Sequence, residues 1–447
     1  MSERWARTAL NTYRIAGAVM APFSGSFLRY RARVGKEDPE RRGERIGRAS
    51  KPRPNGPLVW FHAASVGESM AVLPLLQRLE GLGINIVFTT GTMTSAEIVR
   101  ERLSPRIIHQ YVPMDIKPMV RRFLSHWQPD LAVFAESEIW PMTILELNAM
   151  RVPLILVNAR LSDRSYRRWR KYYRLAEALF ENMAHVVAQS GLDGERFEEL
   201  GAKRVTVSGN LKVDTGAPPC NSADVAALNA QIGTRPVWIA ISTHPGEEEL
   251  VANVHIQLRQ YIPNILTVIV PRHPSRGDEV LMLLSKKGLR VARRSLDQPV
   301  LTETDIFLGD TIGEMGLYLA TGEIAFVGNS LASVGGHNPL EPAVTGAAIL
   351  SGPQVQNFRS SYEALIEAGG ARLVRDGDML FQHVAHLLAN PSDRQGMIVA
   401  ALETVDAMGG ALEKTFSALD YYITPLRMKA RLEGTHLRPQ EKGKPNA

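Results

Sequence analysis

The sequence predicts an α/β protein built from two doubly wound domains facing a cleft, and three observations predict it. From residue 57 onward, short continuous apolar runs alternate with helical stretches, the pattern of strands buried on both faces of a parallel sheet. A stretch rich in Pro, Gly, Asn and Thr, "KVDTGAPPCNSADVAALNAQIGTRP" at 212–236, divides those runs into two halves. The length of 447 residues, 45% hydrophobic and 22% charged, suits two or three globular domains.

The first 55 residues carry 13 Lys/Arg against five Asp/Glu, a local charge of +8 that exceeds the +6 of the whole chain and leaves the remainder at −2. Within them, "LNTYRIAGAVMAPFSGSFLRYRARVG" offers about twenty mostly apolar residues, interrupted by Arg14 and Pro22 and followed by Arg29, Arg31 and Arg33. An apolar stretch with a cationic flank reads as an N-terminal membrane anchor or surface-docking segment with its following chain on the cytoplasmic side. The positive charge stops there, and no aromatic–basic interleaving runs through the domains, so nucleic acid is not the expected partner.

Expected strands follow in order. The first half offers "LVWFHA", "INIVFT", "LAVFA", "LILVN", "HVVAQ" and "RVTVS"; the second offers "VWIAIS", "ILTVIV", "LRVAR", "DIFLG", "EIAFV" and "AAILS". Residues 396–423 read as helical and the end of the chain as a polar tail. The expected divisions are therefore 1–50, 51–215, 216–425 and 426–447. The single cysteine, Cys220, excludes an internal disulfide. Neither a zinc motif, nor a dinucleotide fingerprint, nor a P-loop is present, so no metal or resident cofactor is expected.

Three loops share one signature: "SVGE" after the first strand, "TIGE" at 311–314 and "NPLE" at 338–341. Each places a glutamate three residues after a capping residue, which predicts a capping box and a helix N-terminus able to receive an anion. In the first of them Glu68 is either only a cap or also a base. Gly335 and Gly336 open the turn before His337 and Asn338. "PRHPSR" at 271–276 places Arg272, His273 and Arg276 at a strand end, where guanidinium groups suit phosphate. "FAESEIWP" ends a strand with Glu136 and Glu138, whose alternation predicts opposite faces. "NARLSDRS" adds Arg160 and Arg164, and "GNLKVD" adds Lys212.

"HAASVGE", "AESEIWP", "NARLSDRS", "GNLKVD", "STHPGEEE", "PRHPSR", "DTIGE" and "GGHNPLEPA" stand in the order found in bacterial 3-deoxy-D-manno-octulosonic acid (Kdo) transferases. The resemblance runs from about residue 58 to 375. It implies a GT-B glycosyltransferase, with an acceptor domain at 51–215 and a CMP-Kdo domain at 216–425. The implied acceptor is a tetraacyl lipid A precursor (lipid IVA) at the cytoplasmic face of the inner membrane. It places the proton acceptor on Glu68 and transition-state stabilisers on Glu136 and Lys212. Nucleotide contacts fall on Pro271 and Arg272, on Gly313, Glu314 and Met315, and on Asn338, Pro339, Leu340 and Glu341. Two positions depart from the family pattern: Ser137 stands where Thr is frequent, and Asn329 where a second Gly is common. A nucleotide-sugar epimerase of like architecture and a catalytically silent nucleotide- or lipid-binding protein are the alternatives.

Overall fold

The computed structural model describes residues 3–331 and 335–432. The chain forms two compact units, Met1–Asp214 with Gly410–Ala447 and Thr215–Gly409. In the first, seven strands run β1 (Leu58–Ala63), β2 (Asn85–Thr90), β3 (Ile108–Tyr111), β4 (Leu131–Ala135), β5 (Leu154–Ala159), β6 (His185–Ala188) and β7 (Val205–Val207). Their order in the sheet is β3-β2-β1-β4-β5-β6-β7, every pair parallel. The second unit holds β8 (Val237–Thr243), β9 (Leu266–Pro271), β10 (Val291–Arg293), β11 (Ile306–Leu308), β12 (Ile324–Val327), β13 (Ala348–Ser351) and β14 (Ala371–Leu373). Their order is β10-β11-β9-β8-β12-β13-β14, again all parallel.

These strands are continuous in apolar residues because both faces are covered. In β1, Val59, Phe61 and Ala63 enter one core with Leu75, Leu76 and Leu79 of the helix Val66–Glu80. Leu58 and Trp60 enter the other with Phe123 and Trp127 of the helix Lys117–Trp127. Alternation along the strand thus feeds two layers rather than one layer and solvent. The order of strands reverses between β1 and β4 and between β8 and β12. Loops after those strand pairs diverge, which is where open parallel sheets expose polar groups to ligands.

Two sequence expectations are corrected here. The expected hydrophobic anchor helix is not found: among the described residues no helix is long and apolar enough to cross a membrane. The segment is instead a helix Glu3–Met20, a 3₁₀ turn Ala21–Phe23 and a helix Ser24–Arg33. Pro22 sits inside the 3₁₀ turn, and Asn11, Thr12 and Arg14 keep the first helix polar on one side. Tyr13 donates to the Asp115 carboxylate at 3.1 Å. The Trp5 ring stacks on Tyr172 at 5.8 Å, and Leu28 is buried. The segment therefore lies on the first unit.

The second correction concerns the far end. The second unit stops at Gly409, so 410–425 belongs with the first unit. Gly409 and Gly410 separate the helices Pro391–Met408 and Ala411–Leu432. The latter returns Leu419, Ile423 and Leu426 to the first core. Asp214, where the chain leaves that unit, accepts the backbone N–H groups of Gly410 and Leu412, where it re-enters. Residues 426–432, expected as tail, complete this helix; 433–447 lie outside the described residues.

Gly352, just past β13, shows how closely the second unit packs at its switch point. A Cβ there would lie 2.0 Å from the Ser330 carbonyl oxygen, in backbone that cannot yield cheaply. Gly352→Ala is expected to destabilise the second unit by at least about 2 kcal/mol. Urea titration with hydrogen exchange at β12 and β13 would detect this as faster exchange and a lower midpoint.

Candidate active site

In the first unit the site forms after β1 and β4. Ser65 caps the helix Val66–Glu80, its oxygen accepting the Glu68 N–H at 3.3 Å. Glu68 Oε2 accepts the Ala64 N–H at 2.8 Å, and Glu68 Oε1 accepts the Ser65 hydroxyl at 2.8 Å. The capping box is thus present, with the glutamate reaching one residue further back than the usual cap N–H. Burial raises the pKa of Glu68, and the neighbouring Glu136 and Glu138 carboxylates add to it. The Ser65 and Ala64 hydrogen bonds oppose the rise without cancelling it.

The two acids of "AESE" do not alternate as a continued strand would. The chain leaves β4 at Ala135, and Glu136 has φ 55, a left-handed conformation that turns the backbone. Both carboxylates consequently bear on Glu68. Glu136 accepts Lys212 Nζ at 2.6 Å in a largely buried ion pair. Lys212 is placed by a loop that buried Asn158 holds, its Oδ1 accepting the Leu211 N–H at 2.9 Å. Glu138 accepts Trp140 Nε1–H at 2.7 Å and lies 3.1 Å from His62 Nε2. Burial works against ionisation of Glu138, but His62 and Trp140 outweigh it and hold its pKa below the usual carboxylate value. His62 in turn meets Thr89 through Nδ1 at 3.0 Å. Sequence reasoning missed His62; its signal was a polar residue inside the apolar run "LVWFHA".

In the second unit the polar groups gather at the ends of β8, β9, β11 and β12. Pro271 is the buried last residue of β9. Arg272 and His273 follow it exposed. Arg276 is not a free phosphate ligand: it binds the buried Glu248 carboxylate at 2.6 Å and Glu279 at 2.8 Å. His337 Nε2 lies 3.0 Å from His244 Nε2. Asn329, where the family commonly has Gly, has φ 60. Asn tolerates that left-handed region better than most side chains, so the replacement keeps the loop's shape.

The other two expected capping boxes do not form. The helix after "TIGE" begins at Met315, so Glu314 is its cap position rather than its third residue. Its carboxylate is bound by Arg294, Thr311 and Tyr318, with the Arg294 bonds leading in holding its pKa down. The helix after "NPLE" begins at Leu340, with Pro339 as cap, and Glu341 is its second residue. Each helix is five residues long, too short to gather much dipole at its start. Gly313 has φ 85 and no atom near an added Cβ, and Asn338 and Glu341 are part-exposed. Pro339 and Leu340 bury their side chains. Residues 332–334 of this loop lie outside the described residues.

Two doubly wound units with polar groups at their switch points have the GT-B-like architecture. The fold is shared with a glycosyltransferase from Rickettsia africae, at TM-score 0.57 and 12% identity over 83% of this chain and 99% of that one. It is shared equally with UDP-GlcNAc 2-epimerase from Neisseria meningitidis, at TM-score 0.55 and 14% identity over 81% and 99%. Likeness at such identities establishes architecture alone. Sequence relatives separate the chemistries. Residues 40–215 match the family described as 3-deoxy-D-manno-octulosonic-acid transferase (kdotransferase). The 3-deoxy-D-manno-octulosonic acid transferase of Haemophilus influenzae is 35% identical over 401 residues, 88% of this chain and 92% of that protein. That of Bordetella pertussis is 35% identical over 399 residues, 85% and 91% respectively. The chain belongs to the Kdo transferase family and is a glycosyltransferase.

The electrostatics of Glu68 give a signed expectation. Glu138→Gln keeps an acceptor for Trp140 but removes a negative charge from beside Glu68. The Glu68 pKa then falls, which NMR titration of the Glu68 carboxylate reads directly. An unmoved titration would show that the Glu138 charge does not reach Glu68.

Proposed function

We propose that this enzyme transfers Kdo from CMP-Kdo to a tetraacyl lipid A precursor, lipid IVA, with inversion at the anomeric carbon. The first unit would handle the acceptor and the second the donor. The observation that carries the reading is Glu68, a carboxylate of raised pKa beside a Glu136–Lys212 pair at the switch point of the first sheet.

An acceptor hydroxyl is a weak nucleophile at neutral pH, so a base must take its proton as the oxygen attacks. A carboxylate whose pKa is raised toward the working pH holds that proton better than an ordinary one. As the new C–O bond forms, the bond from the anomeric carbon to the phosphate oxygen breaks and CMP departs with the electron pair. Positive charge accumulates at the sugar and negative charge at the leaving phosphate. Glu136, paired with Lys212, suits the first; Arg272 and the Gly313 and Asn338 loops suit the second. Family membership supports Kdo as the transferred sugar, and favours transfer over epimerisation or silent binding.

A lipid acceptor also accounts for the N-terminal segment. Val19, Met20, Phe23, Phe27 and Tyr30 are exposed, Phe23 at 61% and Tyr30 at 63%. Arg29, Arg31 and Arg33 accompany them. The helix Asp163–Lys171 buries no residue and carries Arg164, Arg167, Arg168, Arg170 and Lys171. An apolar ridge with basic flanks suits shallow insertion among anionic headgroups, which supports the reading of a position at the cytoplasmic face of the inner membrane.

Mass spectrometry of lipid IVA after incubation with CMP-Kdo tests the reaction; the expected product is heavier by one or more Kdo residues, and an unmodified lipid refutes it. Glu68→Gln preserves the capping geometry but supplies no base. Turnover should fall about 10²–10⁴-fold with the melting temperature unchanged; normal turnover would return Glu68 to a purely capping role. A double change, Phe23→Ser with Phe27→Ser, should weaken binding to anionic phospholipid vesicles at least about tenfold while leaving CMP affinity intact. Undiminished vesicle binding would remove the segment from the membrane contact.

A further inference from the structure

Two imidazoles meet at the switch point of the second sheet. His244 follows β8 and His337 follows β12, and β8 and β12 are neighbours. Their Nε2 atoms are 3.0 Å apart, and their ring centroids lie 5.2 Å apart at an interplanar angle of 24°, so the rings meet end to end. Each is fixed from behind. The His244 backbone N–H donates to Glu247 at 3.0 Å, and the His337 backbone carbonyl accepts the hydroxyl of fully buried Tyr362 at 3.2 Å. His273 stands edge-on to His244 at 6.1 Å. No function derived above uses this pair.

Two ring nitrogens at hydrogen-bond distance need one proton between them. One ring donates from Nε2 and keeps a lone pair at Nδ1; the other accepts at Nε2 and carries its proton at Nδ1. The neutral pair therefore has one vacant nitrogen, and one added proton makes it a cation without breaking the bond. The charges around it decide when that happens. Burial leads in lowering the pKa of His337 to about 3, with Arg272, His244 and His273 adding to it. His244 is lowered too, by burial first and then by His273 and Arg272, against Glu247 and Glu248. Those two acids are already engaged. Glu247 accepts the backbone N–H groups of His244, Asn329, Ser330 and Leu331, and Glu248 accepts from Thr243 and Arg276. With no anion beside it, then, the pair is neutral at physiological pH, and exposed Arg272 opposes its protonation. An anion arriving at Arg272 reverses that opposition.

We propose that His244 and His337 form a donor-binding pair that takes up one proton as the phosphate of the sugar nucleotide settles beside Arg272. The cation so formed gives the phosphate a second positive partner, present only while the phosphate is there. The inference rests on the donor-site reading and adds to it two ligand-binding residues and a proton.

Calorimetry with CMP as the probe separates the two claims. At pH 7.5 the phosphate monoester is almost entirely dianionic, its second ionisation lying near pH 6. Titrations in two buffers of different ionisation heat should show uptake of about half a proton or more per CMP. Affinity should weaken from pH 6.5 to 8.5, although CMP itself gains negative charge over that interval. His337→Gln and His244→Gln should each abolish the uptake and flatten the pH dependence, with folding checked by circular dichroism; either variant suffices if the other fails to fold. CMP binding without proton uptake, or uptake that survives in a folded variant, overturns the pair's role and leaves the donor site standing. Absence of CMP binding to the wild-type enzyme overturns the donor site, and this inference with it.

Discussion

One buried carboxylate, Glu247, organises the second sheet's switch point. Its two oxygens accept four backbone N–H groups, from His244 after β8 and from Asn329, Ser330 and Leu331 after β12. Loops leaving adjacent strands in opposite directions expose backbone donors where water is excluded, and an unsatisfied buried donor costs about 1–3 kcal/mol. A single side chain answers four of them and fixes both loops to each other. The left-handed turn at Asn329 is what lets three successive N–H groups converge on it. Gly328 is needed beside them, because a Cβ there would lie 2.6 Å from the Ser242 carbonyl oxygen and 2.8 Å from Glu247 Oε2.

The same device recurs. Asp115 accepts the Met142 and Thr143 N–H groups at the start of the helix that follows Trp140. Asp310 accepts the Ser295 N–H and hydroxyl, and Asp193 accepts the Leu161 N–H. Acidic residues in strand-end loops are therefore mostly tethers. That is why the sequence motifs overstated the number of ligand-facing charged groups: Glu314 and Arg276, both plausible ligand groups by type and position, are engaged by Arg294 and Glu248. A residue's chemistry was legible, but whether a partner had already claimed it depended on contacts from distant parts of the chain.

Strand existence was far easier to read. Twelve runs were recognisable because burial on both faces demands unbroken apolar sequence, and the structure places a strand at each. The two strands not anticipated, β3 and β14, are both at sheet edges. β3 reads Ile-His-Gln-Tyr and β14 Ala-Arg-Leu; an edge needs less apolar cover, and the pattern fades. The N-terminal segment was legible only in part. Counting its apolar residues left an anchor and a surface-docking segment both open, whereas their distribution between an inward side at Leu28 and an outward side at Phe23, Phe27 and Tyr30 describes a helix pair lying on the first unit. The return of the chain after Gly410 left no signal in composition, since helices of either unit need the same amphipathic stripe.

Whether Glu68 can serve at once as cap and base comes down to counting lone pairs. An ionised carboxylate offers about four acceptor positions. Two are used, one on each oxygen, by Ala64 and Ser65, so neither oxygen is saturated. A cap whose only neighbours were those donors would have its pKa lowered and would be a poor base. Here burial and the Glu136 and Glu138 charges push harder in the other direction. Each of those acids has a partner that Glu68 lacks, Lys212 for one and His62 with Trp140 for the other. Three carboxylates share one neighbourhood, and Glu68 is the one whose affinity for a proton that neighbourhood raises. The capping bonds then have a second consequence: by holding both oxygens in place, they let the most basic group of the cluster meet an incoming hydroxyl without first having to find its orientation.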